Sequence, residues 1–164
     1  MQNIIWALQG HHVKEEENMS FYNKILFPVD LTDASSKIAP HVKGMADQFG
    51  AEIHMIYVAH VTQYYDGLYI SPYYIGDFET EVVKAARSQL EKFQVEYFKG
   101  VSVKTKIITG YPGEEILNYV TSEGIDLIIM GHSREGIKRL ILGSVAGNVV
   151  KWSPVPVMIV NPHT

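Results

Sequence analysis

Hydrophobic and polar residues fall into two alternating kinds of block along this chain. Short apolar runs alternate with longer stretches whose apolar residues recur every three or four positions. The first run is Lys24-Ile25-Leu26-Phe27-Pro28-Val29, ending at Asp30. Apolarity without polar alternation suits a strand buried on both faces of a parallel sheet. Ile38, Val42, Met45, Ala46 and Phe49 then follow helical spacing, which predicts a helix from Ala34 to Phe49. Thr32 or Asp33 can cap it, and Gly50 can end it. A second strand is expected from Glu52 to Val61, and a long loop from Thr62 to Gly76. Asp77 can cap a helix from Phe78 to about Phe98, carried by Val82, Val83, Ala86, Leu90, Phe93 and Tyr97.

The second half continues in the same rhythm. Val101 to Thr109 alternates and reads as a strand near the sheet margin. A turn at Tyr111-Pro112-Gly113 leads to a helix from Gly113 to Ser122, and Gly124 stops it. Ile125 to Met130 is the fourth strand, with Asp126 ending the turn before it. Gly131 to Ser144, GHSREGIKRLILGS, is a glycine-bearing loop with a short helical turn expected at Gly136 to Leu142. Ser144 to Trp152 reads as a helix, Ser153-Pro154 ends it, and Val155 to Val160 is the fifth strand. One helix per crossover implies a parallel sheet with helices on both faces.

That architecture makes two places chemically interesting. Ligands bind at the carboxyl ends of strands, where the strand order reverses. If the first and fourth strands are neighbours, Asp30 and Gly131 face one crevice. Asp30 can then bind a hydroxyl such as a ribose hydroxyl, or it can simply serve the turn. Gly143-Ser144 at a helix start offers N–H groups to a phosphate, or is an ordinary helix cap. The loop is neither a Walker A element nor GxGxxG.

Composition narrows the classes. The chain has 164 residues, 46% apolar and 20% charged, which suits one soluble globular domain. A formal net charge of −4 argues against nonspecific nucleic-acid binding. With no cysteine, disulfides, thiolate catalysis and cysteine metal sites are excluded, and a cytoplasmic location fits. No apolar window is long enough for a membrane helix. The seven histidines are scattered without metal-ligand spacing; His132 reads as an exposed loop residue beside the crevice. No nucleophile–base pair stands out, so no catalytic residue is assigned. Residues 1–20 lack a basic leader and read as an N-terminal extension to a domain over 21–164. Tyr64, Tyr65, Tyr69, Tyr73 and Tyr74 make the long loop a lid, a partner surface or a self-packed loop.

Several motifs together resemble the universal stress protein family. They are Lys24 to Ser35 (KILFPVDLTDAS), Asp126 to His132 (DLIIMGH), Leu142 to Ala146 (LGSVA) and Ser153 to Val160 (SPVPVMIV). Singly they are weak; in this order, from Phe21 to Asn161, they are specific. The resemblance implies a three-layer α/β/α sandwich, with a five-stranded parallel sheet of order 3-2-1-4-5. It also implies an adenine-nucleotide site, in members that bind ATP, built on a loop of the form G-x2-G-x9-G-S/T. Gly131 matches the first glycine, and Gly143 with Ser144 matches the end. Arg134 stands where the second glycine would fall, and the interval from Gly131 to Gly143 is one residue short. Gly136 can partly substitute, and Arg134, Lys138 and Arg139 can meet phosphate by charge. The resemblance further implies ribose and adenine contacts near Pro28, Val29 and Asp30, an adenine contact near Ile53 and wall contacts at Met130; His132 and Val145, beside the glycines, join them as candidate site residues. The ligand it implies is ATP, with or without Mg2+.

In the implied strand order the last strand lies at a sheet edge with no charge to blunt it. Pairing of Val155 to Val160 with its own copy in a homodimer is the expectation, which the family resemblance also implies. The sequence therefore reads as a cytoplasmic, homodimeric stress-response regulator that binds ATP and is not an enzyme, with no nucleic-acid or membrane partner. Two rivals share the fold. One is a protein-interaction module that has lost the nucleotide, favoured by Arg134; the other is a nucleotide-hydrolysing enzyme.

Overall fold

A computed structural model describes residues 21–60, 72–132 and 142–162. Five strands form one sheet: β1 (Lys24–Val29), β2 (Glu52–Ala59), β3 (Val103–Thr109), β4 (Leu127–Gly131) and β5 (Val157–Val160). Four helices connect them: α1 (Asp33–Phe49), α2 (Pro72–Tyr97), α3 (Pro112–Glu123) and α4 (Ser144–Trp152). The strand order is β3-β2-β1-β4-β5, with every pairing parallel. This is the α/β fold and the 3-2-1-4-5 order expected from the sequence.

The apolar runs are runs because the sheet buries both faces. Along β1, Ile25, Phe27 and Val29 join Ile38 and Val42 of α1 and Leu90 of α2 in one core. The intervening Leu26 points to the other face and joins Ile116 of α3 and Val149 of α4. In β4, Leu127 and Ile129 take the first core while Ile128 and Met130 take the second. At the β3 margin, Lys104, Thr105 and Lys106 are exposed, a charged edge that discourages pairing with another strand.

The element ends differ from the sequence expectation in instructive ways. α2 begins at Pro72, inside the stretch expected to be loop, and runs through Gly76 and Asp77. Proline is well suited to a helix start, and one interior glycine costs only about 1 kcal/mol. The rest of the expected loop and its tyrosines at 64, 65 and 69 lie outside the described residues, as do the extension over 1–20 and the turn expected at 136–142. β5 begins at Val157, not Val155. The Ser153 hydroxyl donates to the Val155 carbonyl at 2.7 Å and accepts from the Val155 N–H at 3.2 Å. That turn uses the backbone groups a longer strand would need, and Pro156 supplies no N–H. Gly50 and Gly124 end α1 and α3 in the left-handed conformation, at φ 64° and 65°, as expected of C-caps.

The N-terminal ends of the strands are sewn together. Asp126 accepts the Asn23 N–H at 2.7 Å through Oδ2 and the Lys24 N–H at 3.0 Å through Oδ1. Its own N–H donates to the Lys24 carbonyl at 3.1 Å. Lys24 Nζ donates to the Glu123 carbonyl at 2.8 Å, and Lys104 Nζ to Glu123 Oε2 at 2.6 Å. Among the described residues, no helix is long and apolar enough to cross a membrane.

Candidate functional site

The strand order reverses between β1 and β4, and at their C-terminal ends a crevice of about 750 Å³ opens. That volume is ample for a small ligand. One wall is the turn from β1 into α1. Asp30 Oδ1 accepts the Thr32 N–H at 3.0 Å, the Thr32 hydroxyl at 2.7 Å and the Ser35 hydroxyl at 2.7 Å. Ser35 Oγ in turn accepts the Asp30 N–H at 3.2 Å, and Thr32 Oγ1 accepts the Ala34 N–H at 3.3 Å. Between them Leu31 adopts φ 58°, a left-handed conformation that a leucine rarely takes. The ring of hydrogen bonds holds that strained residue and fixes the carboxylate. The turn reading of Asp30 is what the structure shows: Oδ1 serves the turn, while Oδ2 accepts no hydrogen bond among the described residues.

The facing wall is the start of α4. Gly143 is the N-cap and supplies no side-chain cap. Its own N–H donates to the His132 carbonyl at 2.6 Å, and its carbonyl accepts from the Gly147 N–H at 2.8 Å. The Gly143 N–H expected to face a phosphate is therefore spent closing the neck of the loop. The next three, on Ser144, Val145 and Ala146, have no acceptor among the described residues, and all three residues line the crevice. Donors so placed at the positive end of a helix can receive an anion.

The floor comes from β4. A Cβ added to Gly131 would stand 2.9 Å from Ile38 Cδ1, so a larger residue there would displace the tip of the Ile38 side chain. His132 corrects an expectation. It is buried, 2% exposed, and its Nε2 lies 2.9 Å from Asn161 Oδ1. The ring is pulled inward because it ties the base of the loop to the residue following β5.

The structure brings together most of the residues singled out in the sequence. Pro28, Val29 and Asp30 reach the crevice from β1, and Met130, Gly131 and His132 from β4. Gly143, Ser144 and Val145 reach it from the start of α4. Arg134 and Gly136 lie outside the described residues. Ile53 does not line the crevice. It is the second residue of β2, paired with Ile25 at the opposite end of the sheet and fully buried. In a parallel sheet only the C-terminal end of a strand reaches the crevice, and β2 contributes Ile56, Val58 and Ala59 there, followed by His60. Strand direction alone was the signal that pointed to Val58 instead of Ile53. Tyr111 and Asn148 also line the crevice without having been singled out for it. Among the described residues, no group of three His, Cys, Asp or Glu side chains is placed to hold a metal ion.

The likeness to known proteins agrees with this geometry. The family model for the universal stress protein family matches residues 21–161. Universal stress protein MJ0531 of Methanocaldococcus jannaschii is 33% identical over 151 residues, covering 90% of this chain and 86% of that protein. Among solved structures, hypothetical protein MJ0577 superposes with a TM-score of 0.72 at 29% identity, over 86% of this chain and 96% of that one. A universal stress protein family protein from Arabidopsis thaliana, solved with AMP bound, shares the fold at a TM-score of 0.60 and 19% identity, over 85% of this chain and 91% of that one. The chain belongs to the universal stress protein family.

Proposed function

We propose that the crevice binds an adenine nucleotide, ATP or a shorter relative, and that the protein acts as a nucleotide-responsive regulator. The observation that carries this reading is the pairing of two walls across one crevice. One presents a fixed carboxylate for a sugar hydroxyl; the other presents three open N–H groups for a phosphate. The AMP bound to the Arabidopsis protein of like fold supports the ligand class. Any Mg2+ would arrive on the phosphates, and the Ser144 hydroxyl and the Asp30 carboxylate are oxygen donors of the kind it takes in the crevice lining.

A regulator is favoured over an enzyme because the crevice histidines are committed to packing. His132 is held by Asn161, and the His60 ring lies 4.8 Å from that of Tyr111. The working form is a cytoplasmic homodimer joined along β5. That strand is a sheet edge, half-exposed over Val157, Met158 and Ile159. Such an edge is stabilised by pairing.

Titration calorimetry of the full chain with ATP and AMP tests the ligand. The expected result is saturable binding that weakens in Gly143→Val and in Asp30→Ala. No heat with either nucleotide, and none recovered from extracted protein, would remove the reading. Sedimentation analysis tests the dimer, and a Met158→Asp variant should then sediment as a monomer.

A further inference from the structure

Tyr111 occupies a position that its side chain does nothing to stabilise. It is the N-cap of α3, where Ser, Thr, Asp or Asn would satisfy an open N–H, and it makes no side-chain cap bond. A departure of this kind from local preference is expected where a residue serves a site. The ring lines the crevice and is 57% exposed, a large aromatic surface left facing the cavity.

Its backbone, by contrast, is pinned on every side. The Gly110 N–H donates to the Ala59 carbonyl at 3.1 Å, holding this turn against the end of β2. Gly110 takes φ 153°, and a Cβ there would stand 2.8 Å from Glu115 Cγ. The Tyr111 carbonyl accepts both the Glu114 and Glu115 N–H groups, at 3.0 and 2.9 Å, and Pro112 follows with its fixed φ. His60 backs the ring at 4.8 Å between centroids, tilted by 53°. Among the described residues the buried His60 Nε2 has no hydrogen-bond partner, so that ring meets Tyr111 by packing. A rigidly held, half-open aromatic face is a stacking surface.

The crevice is also graded along its length. At the α4 end it offers N–H donors. At the β2 end it offers aliphatic Ile56, Val58 and Ala59 beside the aromatic pair. We propose that Tyr111 is the stacking platform for the nucleobase, with His60 holding its ring in place. This rests on the nucleotide reading of the crevice and adds an orientation to it: base toward β2 and β3, phosphate toward α4.

The test compares AMP with ribose 5-phosphate, which keeps sugar and phosphate but has no base, by calorimetry on the full chain. Wild type should bind AMP more tightly than ribose 5-phosphate. Tyr111→Ala should lose about tenfold in AMP affinity, the usual worth of one base–aromatic stack. Its affinity for ribose 5-phosphate should not change, and Tyr111→Phe should bind AMP like wild type. Tyr111→Asn guards against misfolding, because asparagine improves the helix start and should still lose AMP. Unchanged AMP affinity in the Ala and Asn variants overturns the platform while leaving the nucleotide reading intact. An equal loss for both ligands also overturns it. Wild type that binds neither ligand overturns the nucleotide reading and the platform with it.

Discussion

The two ends of this sheet are finished in opposite ways. At the N-terminal end of the strands, backbone donors are met from within the chain. Asp126 takes the N–H groups of Asn23 and Lys24, and Glu123 takes the ammonium groups of Lys24 and Lys104. At the C-terminal end the chain caps the start of α1 with a side chain and leaves the starts of α3 and α4 without one. α1 is capped by Thr32 and braced by Asp30 and Ser35, whereas α4 starts at Gly143 without a side-chain cap. The first N–H groups of a helix have no partner within it and are met by a side chain, by water or by a ligand. The closed end holds the fold, and the uncapped α4 start is where the proposed nucleotide would place its phosphate.

The sharpest way to break that contrast is a proline placed at each helix start. Ser144 is the first residue of α4, where proline is tolerated, and Gly143 before it has φ −61° and ψ 164°, which proline allows. Ser144→Pro therefore removes one phosphate donor and the hydroxyl while leaving the helix intact. Nucleotide affinity should fall by about a hundredfold, since hydrogen bonds to a charged group are worth roughly 1.5–3 kcal/mol each. The unfolding midpoint should barely move. The matched change at the closed start, Asp33→Pro, follows an equally extended Thr32 at φ −97° and ψ 173°. It should leave nucleotide affinity as it was. Equal losses in the two variants, measured by calorimetry, would erase the distinction between the starts.

How much of this was legible beforehand follows from what each feature depends on. The five strands and four helices are spelled out by local periodicity: β1 and β4 are apolar runs because they are buried on both faces, and β3 alternates because it lies at the sheet margin. The β1–α1 turn and the α4 start could be placed because both are short-range patterns at strand ends. Ile53 was misplaced because its role depends on position along β2, which a motif does not encode. His132 was misjudged because its partner, Asn161, lies on a different strand end. Val155 looked like strand because it is apolar, but the Ser153 hydroxyl claims its backbone. The early start of α2 was missed because tyrosine, glycine and proline together mimic a loop, although proline at a first turn starts a helix just as readily.

The closed end can be tested on stability alone. Asp126→Ala removes the acceptor of two backbone N–H groups and should cost about 2 kcal/mol, read as a lower urea midpoint at unchanged slope. Nucleotide affinity should be unaffected, because Asp126 lies at the far end of the strands. Ser35→Ala acts on the closed helix start at the crevice. It removes a buried hydroxyl that donates to Asp30 Oδ1 and accepts from the Asp30 N–H, and should cost about 1 kcal/mol. It should also loosen the carboxylate and weaken nucleotide binding by a few-fold. A Ser35→Ala variant with wild-type affinity would mean that Asp30 needs only Thr32 to stay in place.

The smallest effect belongs to the Lys104–Glu123 pair, and its value lies in its pH dependence. The hydrogen bond from Lys104 holds the Glu123 carboxyl below its ordinary range, and the same bond raises Lys104 above its own. A depressed carboxylate adds stability above the ordinary glutamate pKa, which is lost as pH falls through the lowered value. A raised ammonium adds stability below the ordinary lysine pKa, which is lost as pH rises through the raised value. The difference in unfolding midpoint between wild type and Lys104→Met should therefore be a low plateau across neutral pH that shrinks at both ends. Burial also raises the Tyr119 phenol against the lowering pull of Lys104, so a further alkaline decline, beginning at the ordinary tyrosine pKa, should be somewhat deeper in Lys104→Met than in wild type. Because the pair is exposed to water, added salt should flatten the plateau. Nucleotide affinity should not respond to Lys104→Met at any pH in this range. A measurable response there would mean that the closed end of the sheet is coupled to the open one, and that the two are not independent halves of the design.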